Sequence, residues 1–305
     1  MTSNSIFNYE NLFSESAPEP RERGGAHHRA KYDFLVAYPD PESLPLNGLL
    51  KSLPDALQEE GKSLAVYQHP QGYPPLREYV ASKLISDRGM NVSADNIILG
   101  DGSGQHLQVI SEALIDPGDV VIADEFVYGG TLATLRRFRA DIRGIPCDDE
   151  GILPDAVETA IKKASAEGKK TKFIYTIPTF QNPQGWTMNL DRRKALVQLS
   201  QRYDVPIVED DCYVDLRYDG DPVPSIYSLD DTGRVLYVAS FSKIIAPGMR
   251  LGYMTGPPDF IDRAMSIKSG GSVNLLASIA IHRYSPDLDE HIRGVRNIQR
   301  MKRDA

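Results

Sequence analysis

Long apolar segments and cysteines are both scarce in this sequence. No run of about 18 apolar residues occurs in the 305-residue chain, so the sequence predicts no transmembrane helix. The N-terminus has no apolar core of the kind that a secretory signal requires. Cys147 and Cys212 are the only cysteines, which is too few for a disulfide framework. We therefore expect a cytoplasmic protein that has no membrane partner.

Positive charge is in deficit as well. Lysine and arginine number 34 against 42 aspartates and glutamates, which gives a net charge of −8. Because nucleic acids select basic surfaces, we expect no nucleic-acid partner. The six histidines have no paired-helix or Cys-x-x-Cys arrangement, so no metal site is expected. What remains is an ordinary globular composition, 41% hydrophobic and 25% charged, which suits an enzyme.

Short apolar runs alternate with amphipathic stretches from about residue 95 onward. This pattern predicts an α/β fold in which helices flank a mostly parallel sheet. Residues 1–32 are polar and rich in proline, glutamate, arginine and glycine, which predicts a flexible N-terminal arm. The predicted strands are 96–99, 119–123, 172–177, 205–209, 235–240 and 251–256. The clearest predicted helices in this region are 104–115 and 189–203.

The end of the chain predicts one more helix. Residues 285–305 open with Ser-Pro, a frequent helix start. Nothing obvious in the sequence covers the apolar face of this helix, so we expect further protein beyond residue 305. The residues that repeat at helical spacing on this face are Leu288, Ile292, Val295, Ile298 and Met301.

Lys243 stands in an unexpected place. It follows the predicted strand 235–240 and precedes the apolar segment "IIAPGM", although an unpaired buried ammonium is costly. Ligands of open α/β sheets bind beyond the carboxyl ends of the strands, so polar residues at those ends are the candidate site. Those that follow other strands are the turn "GDGSGQ" at 100–105, Asn182, and the series Asp210-Asp211-Cys212-Tyr213.

Each of these patterns alone has a structural explanation. A glycine-rich turn before a helix is more often a plain cap than a phosphate site, and Lys243 could extend to the surface along its own methylenes. Together, however, they match the needs of an aromatic aldehyde phosphate. Its aldehyde needs an amine, and its phosphate needs helix N–H groups, hydroxyls and a guanidinium. Its ring needs a carboxylate for the nitrogen and an aromatic side chain to stack on.

The residues at these positions resemble one known family, the fold-type I pyridoxal-phosphate enzymes of the class I/II aminotransferase group. The closest resemblance is to the 2-aminoadipate/kynurenine aminotransferase branch, which is related to the MocR-type regulators. The resemblance covers residues 33–305 and implies a large cofactor-binding domain at 33–280 and the start of a truncated small domain at 281–305. It rests on six segments in the family's order: "YPDPESLPL", "YQHPQGYPPLREYVASKL", "GDGSGQHLQVISEALIDPGDVVIADEFVYGGTL", "IPTFQNPQGWTM", "VEDDCYVDLRYDG" and "SFSKIIAPGMRLGYM".

The resemblance implies a site for pyridoxal 5′-phosphate. Lys243 resembles the lysine that forms a Schiff base with this cofactor, and Asp210 resembles the partner of its ring nitrogen. Asn182 and Tyr213 resemble the pair that binds the phenolic oxygen, and Tyr128 resembles the residue stacked on the ring. The catalytic roles implied are those of Lys243, Asp210 and Tyr213. The residues that resemble the phosphate-binding set are Ser103, Gly104, Gln105, Ser240, Ser242 and Arg250.

Tyr67 resembles the tyrosine that reaches the neighbouring subunit's phosphate, which implies a homodimer. Two positions depart from the family pattern. Asp101 places a carboxylate in the phosphate turn, and Ala37-Tyr38 replaces a glycine-containing turn near the substrate. The arginine that binds the substrate's α-carboxylate comes from the family's small domain, and no residue here matches it. Either the sequence is truncated or its substrate binding differs from the family's.

The resemblance implies an aminotransferase that moves an amino group between an L-amino acid and a 2-oxo acid. A second interpretation is a cyclase or lyase that acts on amino acids with the same fold and cofactor, because a fold does not fix a reaction. A third is the effector domain of a MocR-type regulator. Only about 32 residues precede the matching region, fewer than the DNA-binding domain of such a regulator needs, and the chain is acidic.

Overall fold

A computed structural model of the chain describes residues 9, 12–14, 16–18, 37–268 and 273–305. Most of the predicted arm at 1–32 therefore lies outside the described residues. The strands are β1 Ile97–Gly100, β2 Val120–Asp124, β3 Asp141–Ile145, β4 Cys147–Asp148, β5 Gly151–Ile152, β6 Thr171–Thr176, β7 Ile207–Asp210, β8 Val235–Ser240 and β9 Gly252–Thr255. The helices are α1 Leu46–Glu60, α2 Pro74–Arg88, α3 Ser103–Leu114, α4 Gly129–Arg137, α5 Pro154–Ala166, α6 Leu190–Tyr203, α7 Ile226–Leu229, α8 Pro258–Ile267, α9 Leu275–Tyr284 and α10 Leu288–Asp304.

Seven strands form one sheet in the order β1-β9-β8-β7-β6-β2-β3. The strands from β8 through β7, β6 and β2 to β3 pair in parallel, whereas β9 is antiparallel to both of its neighbours, β1 and β8. β2, β7 and β8 are buried along their whole length. Strands covered on both faces read as continuous apolar runs, which is why the sequence revealed them. The predicted α/β fold with a mostly parallel sheet is confirmed.

Helices pack on both faces of the sheet. On one face, α3, α4 and α8 cover a single apolar cluster. On the other face, α5 and α6 cover β2, β6 and β7, while α1, α2, α9 and α10 cover β1, β8 and β9. No helix among the described residues has the length and apolar character that crossing a membrane requires. This arrangement buries the sheet and leaves its carboxyl edge open.

Two features differ from the sequence predictions. The edge strand β3 has the sequence "DIRGI", in which only the two isoleucines are aliphatic, so it lacks the apolar run that identified the other strands. The expectation that nothing covers the apolar face of α10 is wrong for its first two turns. Leu288, Ile292 and Val295 are buried against the rest of the chain, whereas Met301 is 63% exposed.

The carboxyl ends of β1, β6, β7 and β8 meet at one edge of the sheet. Because β9 runs in the opposite direction, it contributes its first residue to this edge instead of its last. The register pairs Ser240 at the end of β8 with Gly252 at the start of β9. The connection 241–251 therefore leaves and re-enters the sheet at the same edge.

Candidate active site

One cavity of about 320 Å³ opens at this edge of the sheet. It lies beside the first turns of α3 and α4 and beyond the ends of β7 and β8. Its lining contains every predicted site residue except Gln105 and Tyr67. The lining residues are Ala37, Tyr38, Gly102, Ser103, Gly104, Leu107, Tyr128, Gly130, Thr131, Thr134, Ile177, Asn182, Asp210, Cys212, Tyr213, Ser240, Ser242, Lys243, Pro247 and Arg250.

An anion-binding corner forms where α3 begins. Gly102 precedes the helix with a φ of +75° and gives it no side-chain cap, so the N–H groups of the first turn, from Ser103 onward, can serve a ligand. The hydroxyls of Ser240 and Ser242 line the same cavity. Arg250 lies across the turn, where its Nη2 donates to a backbone carbonyl at 2.6 Å. N–H groups, hydroxyls and a guanidinium are the donors that a phosphate prefers.

Gly252 packs directly against this turn. A Cβ placed on it would lie 2.7 Å from the Gly102 carbonyl carbon and 2.8 Å from the Ser103 nitrogen. We therefore expect Gly252→Ala to displace the turn, to lower the free energy of unfolding by about 1–3 kcal/mol and to weaken the binding of pyridoxal 5′-phosphate. Thermal unfolding and calorimetric titration with the cofactor measure the two effects.

Gly294→Ala is the matched control for this substitution. Gly294 lies inside α10, and an added Cβ there meets no atom within 4 Å. Alanine at this helical position should raise the free energy of unfolding by about 0.5–1 kcal/mol and leave cofactor binding unchanged. An unaltered cofactor affinity in Gly252→Ala would contradict the role of the turn in binding.

Asp210 ends β7 and supplies a carboxylate to the cavity. The Tyr175 hydroxyl donates to its Oδ2 at 2.8 Å, and the Cys212 thiol donates to its Oδ1 at 2.9 Å. Burial raises the pKa of the Asp210 carboxyl, while these two hydrogen bonds act in the opposite direction. An ionised carboxylate at this point can bind a protonated ring nitrogen.

The neighbouring Asp211 faces away from the cavity, because successive residues of an extended chain alternate between faces. Its Oδ2 accepts a hydrogen bond from the Tyr237 hydroxyl at 3.1 Å. Burial raises the pKa of the Asp211 carboxyl, and the charge of Arg88 opposes this shift. The structure thus places the first of the two aspartates at the site.

Lys243 lies in the 241–251 connection and reaches the cavity with its amine. Its Nζ donates to the Ala37 carbonyl oxygen at 2.7 Å and lies 5.9 Å from the centre of the Tyr213 ring. Burial lowers the pKa of the Lys243 amine. Loss of water around the amine thus favours its neutral form, which is the form that acts as a nucleophile or a base.

Asn182 and Tyr213 form a hydrogen-bonded pair, in which Asn182 Nδ2 donates to the Tyr213 hydroxyl at 3.0 Å. Burial raises the pKa of Tyr213 to about 12. The loop that carries Asn182 is fixed by the buried Asp124 at the end of β2. Asp124 accepts hydrogen bonds from Thr176 Oγ1 at 3.0 Å and from Gln181 Nε2 at 3.3 Å. The pair can bind an oxygen substituent of an aromatic ring.

Tyr128 precedes α4, and its half-exposed ring packs on Gly130, where any side chain would collide with it. The ring thus offers a face to the cavity.

Two predicted residues do not line the cavity. Gln105 folds back on the turn, where its Oε1 accepts a hydrogen bond from the Asp101 backbone N–H at 2.9 Å. Tyr67 is 99% exposed and extends into solvent.

Two side chains that the sequence predictions missed support the site. They are Thr131, which lines the cavity, and Tyr175, which contacts Asp210. Cys212, which belongs to the predicted series at the end of β7, also lines the cavity. The signal for Tyr175 was available in the period-two alternation of its strand. Phe173, Tyr175 and Ile177 share one face, and Ile177 lines the cavity. No comparable pattern marked Thr131.

The chemistry of the lining fits the expected cofactor. One cavity brings together an anion-binding corner, a carboxylate, an amine with a lowered pKa and an aromatic face. These are the groups that pyridoxal 5′-phosphate requires for its phosphate, ring nitrogen, aldehyde and ring. No cluster of side chains suited to a metal ion occurs among the described residues.

The chain is similar to known aminotransferases. The family model for aminotransferase class I and II matches residues 37–303. An aromatic-amino-acid aminotransferase from Thermococcus litoralis is 35% identical over 271 residues, which is 88% of this chain and 65% of that protein. The solved structure of kynurenine aminotransferase from Pyrococcus horikoshii, in complex with PMP, superposes with a TM-score of 0.84. It is 36% identical, and the match covers 88% of this chain and 67% of that one.

The chain is also similar to regulators. An uncharacterized HTH-type transcriptional regulator from Bacillus subtilis is 34% identical over 243 residues, which is 78% of this chain and 49% of that protein. The chain therefore spans less than two thirds of the length of these two curated relatives.

Proposed function

The chain belongs to the class I and II aminotransferase family, and we propose that it transfers an amino group between an L-amino acid and a 2-oxo acid with pyridoxal 5′-phosphate. The observation that carries this proposal is the single cavity that holds the Lys243 amine, the Asp210 carboxylate and the anion-binding corner of α3. The names of the two aminotransferases above point to aromatic amino acids and kynurenine as the first amino donors to test.

Each part of the cofactor has its own partners in the cavity. Lys243 would hold the aldehyde carbon, and Asp210 would hold the ring nitrogen. Asn182 and Tyr213 would hold the phenolic oxygen, and Tyr128 would cover the ring. When bound, the cofactor supplies an electron-withdrawing ring that stabilises negative charge at the substrate's Cα. The residues that would hold its phosphate are Ser103, Gly104, Ser240, Ser242 and Arg250.

Lys243 has the properties of the general base for this reaction. A base is most effective when its pKa lies near the working pH, and burial moves the pKa of Lys243 in that direction from its usual high value. Its Nζ would leave the Ala37 carbonyl and remove the proton from the substrate's Cα. The same amine would then deliver this proton to the carbon of the cofactor's aldehyde group. Tyr213, whose ring centre lies 5.9 Å from this Nζ, would limit where the amine can move.

Transfer of labelled nitrogen tests the proposed reaction. The protein loaded with cofactor is incubated with a panel of ¹⁵N-labelled amino acids and unlabelled 2-oxo acids, and the products are analysed by mass spectrometry. Appearance of ¹⁵N in a new amino acid is the expected result. Release of labelled ammonia or of a cyclised product would instead identify a lyase or cyclase. Cofactor binding without any product would favour the ligand-binding domain of a regulator.

We also propose that the protein acts as a homodimer, because α1 carries a second apolar face. Its inner face is buried through Leu49 and Ala56. Leu46, Leu50 and Leu57 recur at helical spacing on the outer face and are each more than 40% exposed. The exposed Leu64, Val66 and Tyr67 follow in the chain. An apolar surface of this kind marks an interface.

Leu50→Glu should weaken dimer formation by about 100-fold or more, because an unpaired carboxylate in an apolar interface costs about 3 kcal/mol or more. The fold of the subunit should persist, since Leu50 is 65% exposed within it. Sedimentation equilibrium measures the dissociation constant. Gln58→Glu adds the same charge at an exposed polar position of α1 and should leave the constant unchanged. Equal dissociation constants in the two variants would place the interface elsewhere.

A further inference from the structure

Both oxygens of the Asp210 carboxylate receive a hydrogen bond from within the protein. Tyr175 donates to Oδ2 at 2.8 Å, and the Tyr175 hydroxyl in turn accepts a hydrogen bond from Thr131 Oγ1 at 3.0 Å. Cys212 donates to Oδ1. Thr131 is 2% exposed and Tyr175 is fully buried, so water does not compete for these bonds. The result is a continuous chain from α4 through β6 to the end of β7.

This chain of hydrogen bonds acts on the charge of Asp210. Burial and the neighbouring Asp211 both raise the pKa of the Asp210 carboxyl, whereas Cys212 and Tyr175 lower it. A buried carboxylate that loses its donors becomes protonated or rotates toward other partners. Protonated Asp210 could not stabilise a protonated ring nitrogen. The donors therefore decide whether Asp210 can act on the cofactor.

We propose that Tyr175 is a positioning residue for the reaction. Its hydroxyl, held by Thr131, fixes Asp210 Oδ2, so that the carboxylate stays ionised with a free lone pair directed to the ring nitrogen of the cofactor. Tyr175 does not touch the reacting atoms and acts through Asp210. This inference rests on the proposed function only in so far as the cavity binds pyridoxal 5′-phosphate.

The chain offers a matched pair of tyrosines for the test. Tyr175 and Tyr237 are both fully buried in the sheet. Each donates to one of two adjacent buried aspartates, Tyr175 to Asp210 and Tyr237 to Asp211. Only Asp210 lines the cavity. Tyr175→Phe and Tyr237→Phe therefore remove the same hydroxyl group from two buried tyrosines of the sheet, and each variant affects a different aspartate.

The measurement is the protonation of the ring nitrogen, read from the ¹⁵N chemical shift of bound cofactor labelled at that atom, as a function of pH. In Tyr175→Phe the ring nitrogen should lose its proton at a lower pH than in the wild type. The affinity of the Tyr175→Phe protein for the cofactor should fall about 10-fold, as expected for a lost hydrogen bond to a charged group. In Tyr237→Phe both quantities should match the wild type, although thermal stability should fall in both variants.

A second pair covers the case in which Tyr175→Phe does not fold. Thr131→Val removes the donor behind Tyr175 and should shift the ring-nitrogen titration in the same direction, whereas Thr131→Ser keeps a hydroxyl and should restore the wild-type titration. An unshifted titration in Tyr175→Phe, or equal shifts in both tyrosine variants, would overturn the proposal. Absence of amino transfer in a wild type with a protonated ring nitrogen would overturn the proposed reaction alone. A wild type that binds no cofactor would overturn both.

Discussion

Lys243→Ala should abolish covalent attachment of pyridoxal 5′-phosphate and lower the rate of amino transfer by at least about 10²–10⁴-fold, the usual contribution of a general base. Lys243 carries the only amine among the described residues that line the cavity. Borohydride reduction of the loaded protein traps the carbon–nitrogen bond, and peptide mass spectrometry then locates the cofactor. The wild type should carry it on Lys243, and the variant should carry none.

A second lysine provides the control for this experiment. Lys268 is 6% exposed, and burial lowers its pKa to about 8. Its Nζ donates to the carbonyl oxygens of Pro70 and Leu99, outside the cavity. Lys268→Met should lower thermal stability and retain the cofactor on Lys243. A cofactor found on Lys268, or retained after reduction in Lys243→Ala, would contradict the assignment.

Asp210→Asn should bind the cofactor but lower amino transfer by about 10³-fold. Two opposite unit charges about 4 Å apart attract by about 4 kcal/mol at an effective dielectric constant of about 20, and this energy corresponds to about 10³ in rate. Asparagine keeps the size of the side chain and removes the charge that holds a protonated ring nitrogen. Single-turnover kinetics, with the cofactor content measured in parallel, separate the chemical step from binding.

Asp211→Asn is the control because it makes the same substitution at the next residue. Asp211 is as deeply buried as Asp210 and accepts a hydrogen bond from Tyr237. The variant should unfold at a lower temperature, because a buried polar cluster with Arg88 is weakened. Its transfer rate per folded molecule should stay near that of the wild type. A rate loss in Asp211→Asn as large as that in Asp210→Asn would refute the distinction between the two aspartates.

Much of the sheet could be predicted because its strands are buried on both faces. The six predicted strands agree with the observed ones to within two residues at each end. The edge strand β3 was missed because it pairs with only one neighbouring strand, β2, and its sequence keeps charged residues. The position of Asp210 at the site follows from the alternation of side chains between the two faces of a strand. Val208 faces the α3–α4 side of the sheet, so Asp210, two residues later, faces the same side.

Contacts between distant parts of the chain could not be predicted. Ala37 meets Lys243 across 206 positions of sequence, and Thr131 meets Tyr175 across 44. No local pattern encodes such contacts, because they arise only when separate loops reach the same edge of the sheet. The side chain of Gln105 shows that a local contact can also overturn a prediction from a motif. Its place in a ligand-like motif suggested cofactor binding, but a local hydrogen bond to the turn directs it elsewhere.

The reversed direction of β9 has a consequence for how the chain tolerates insertions and deletions. Because Ser240 and Gly252 are partners in adjacent strands, the short segment between them carries both the amine at 243 and the guanidinium at 250. Because both ends of the segment are fixed in the sheet, removing or adding a residue there would displace at least one of these two groups from the cavity, whereas the sheet itself would stay as it is. Among loops at this edge, we expect 241–251 to be the one whose length natural variants preserve most strictly.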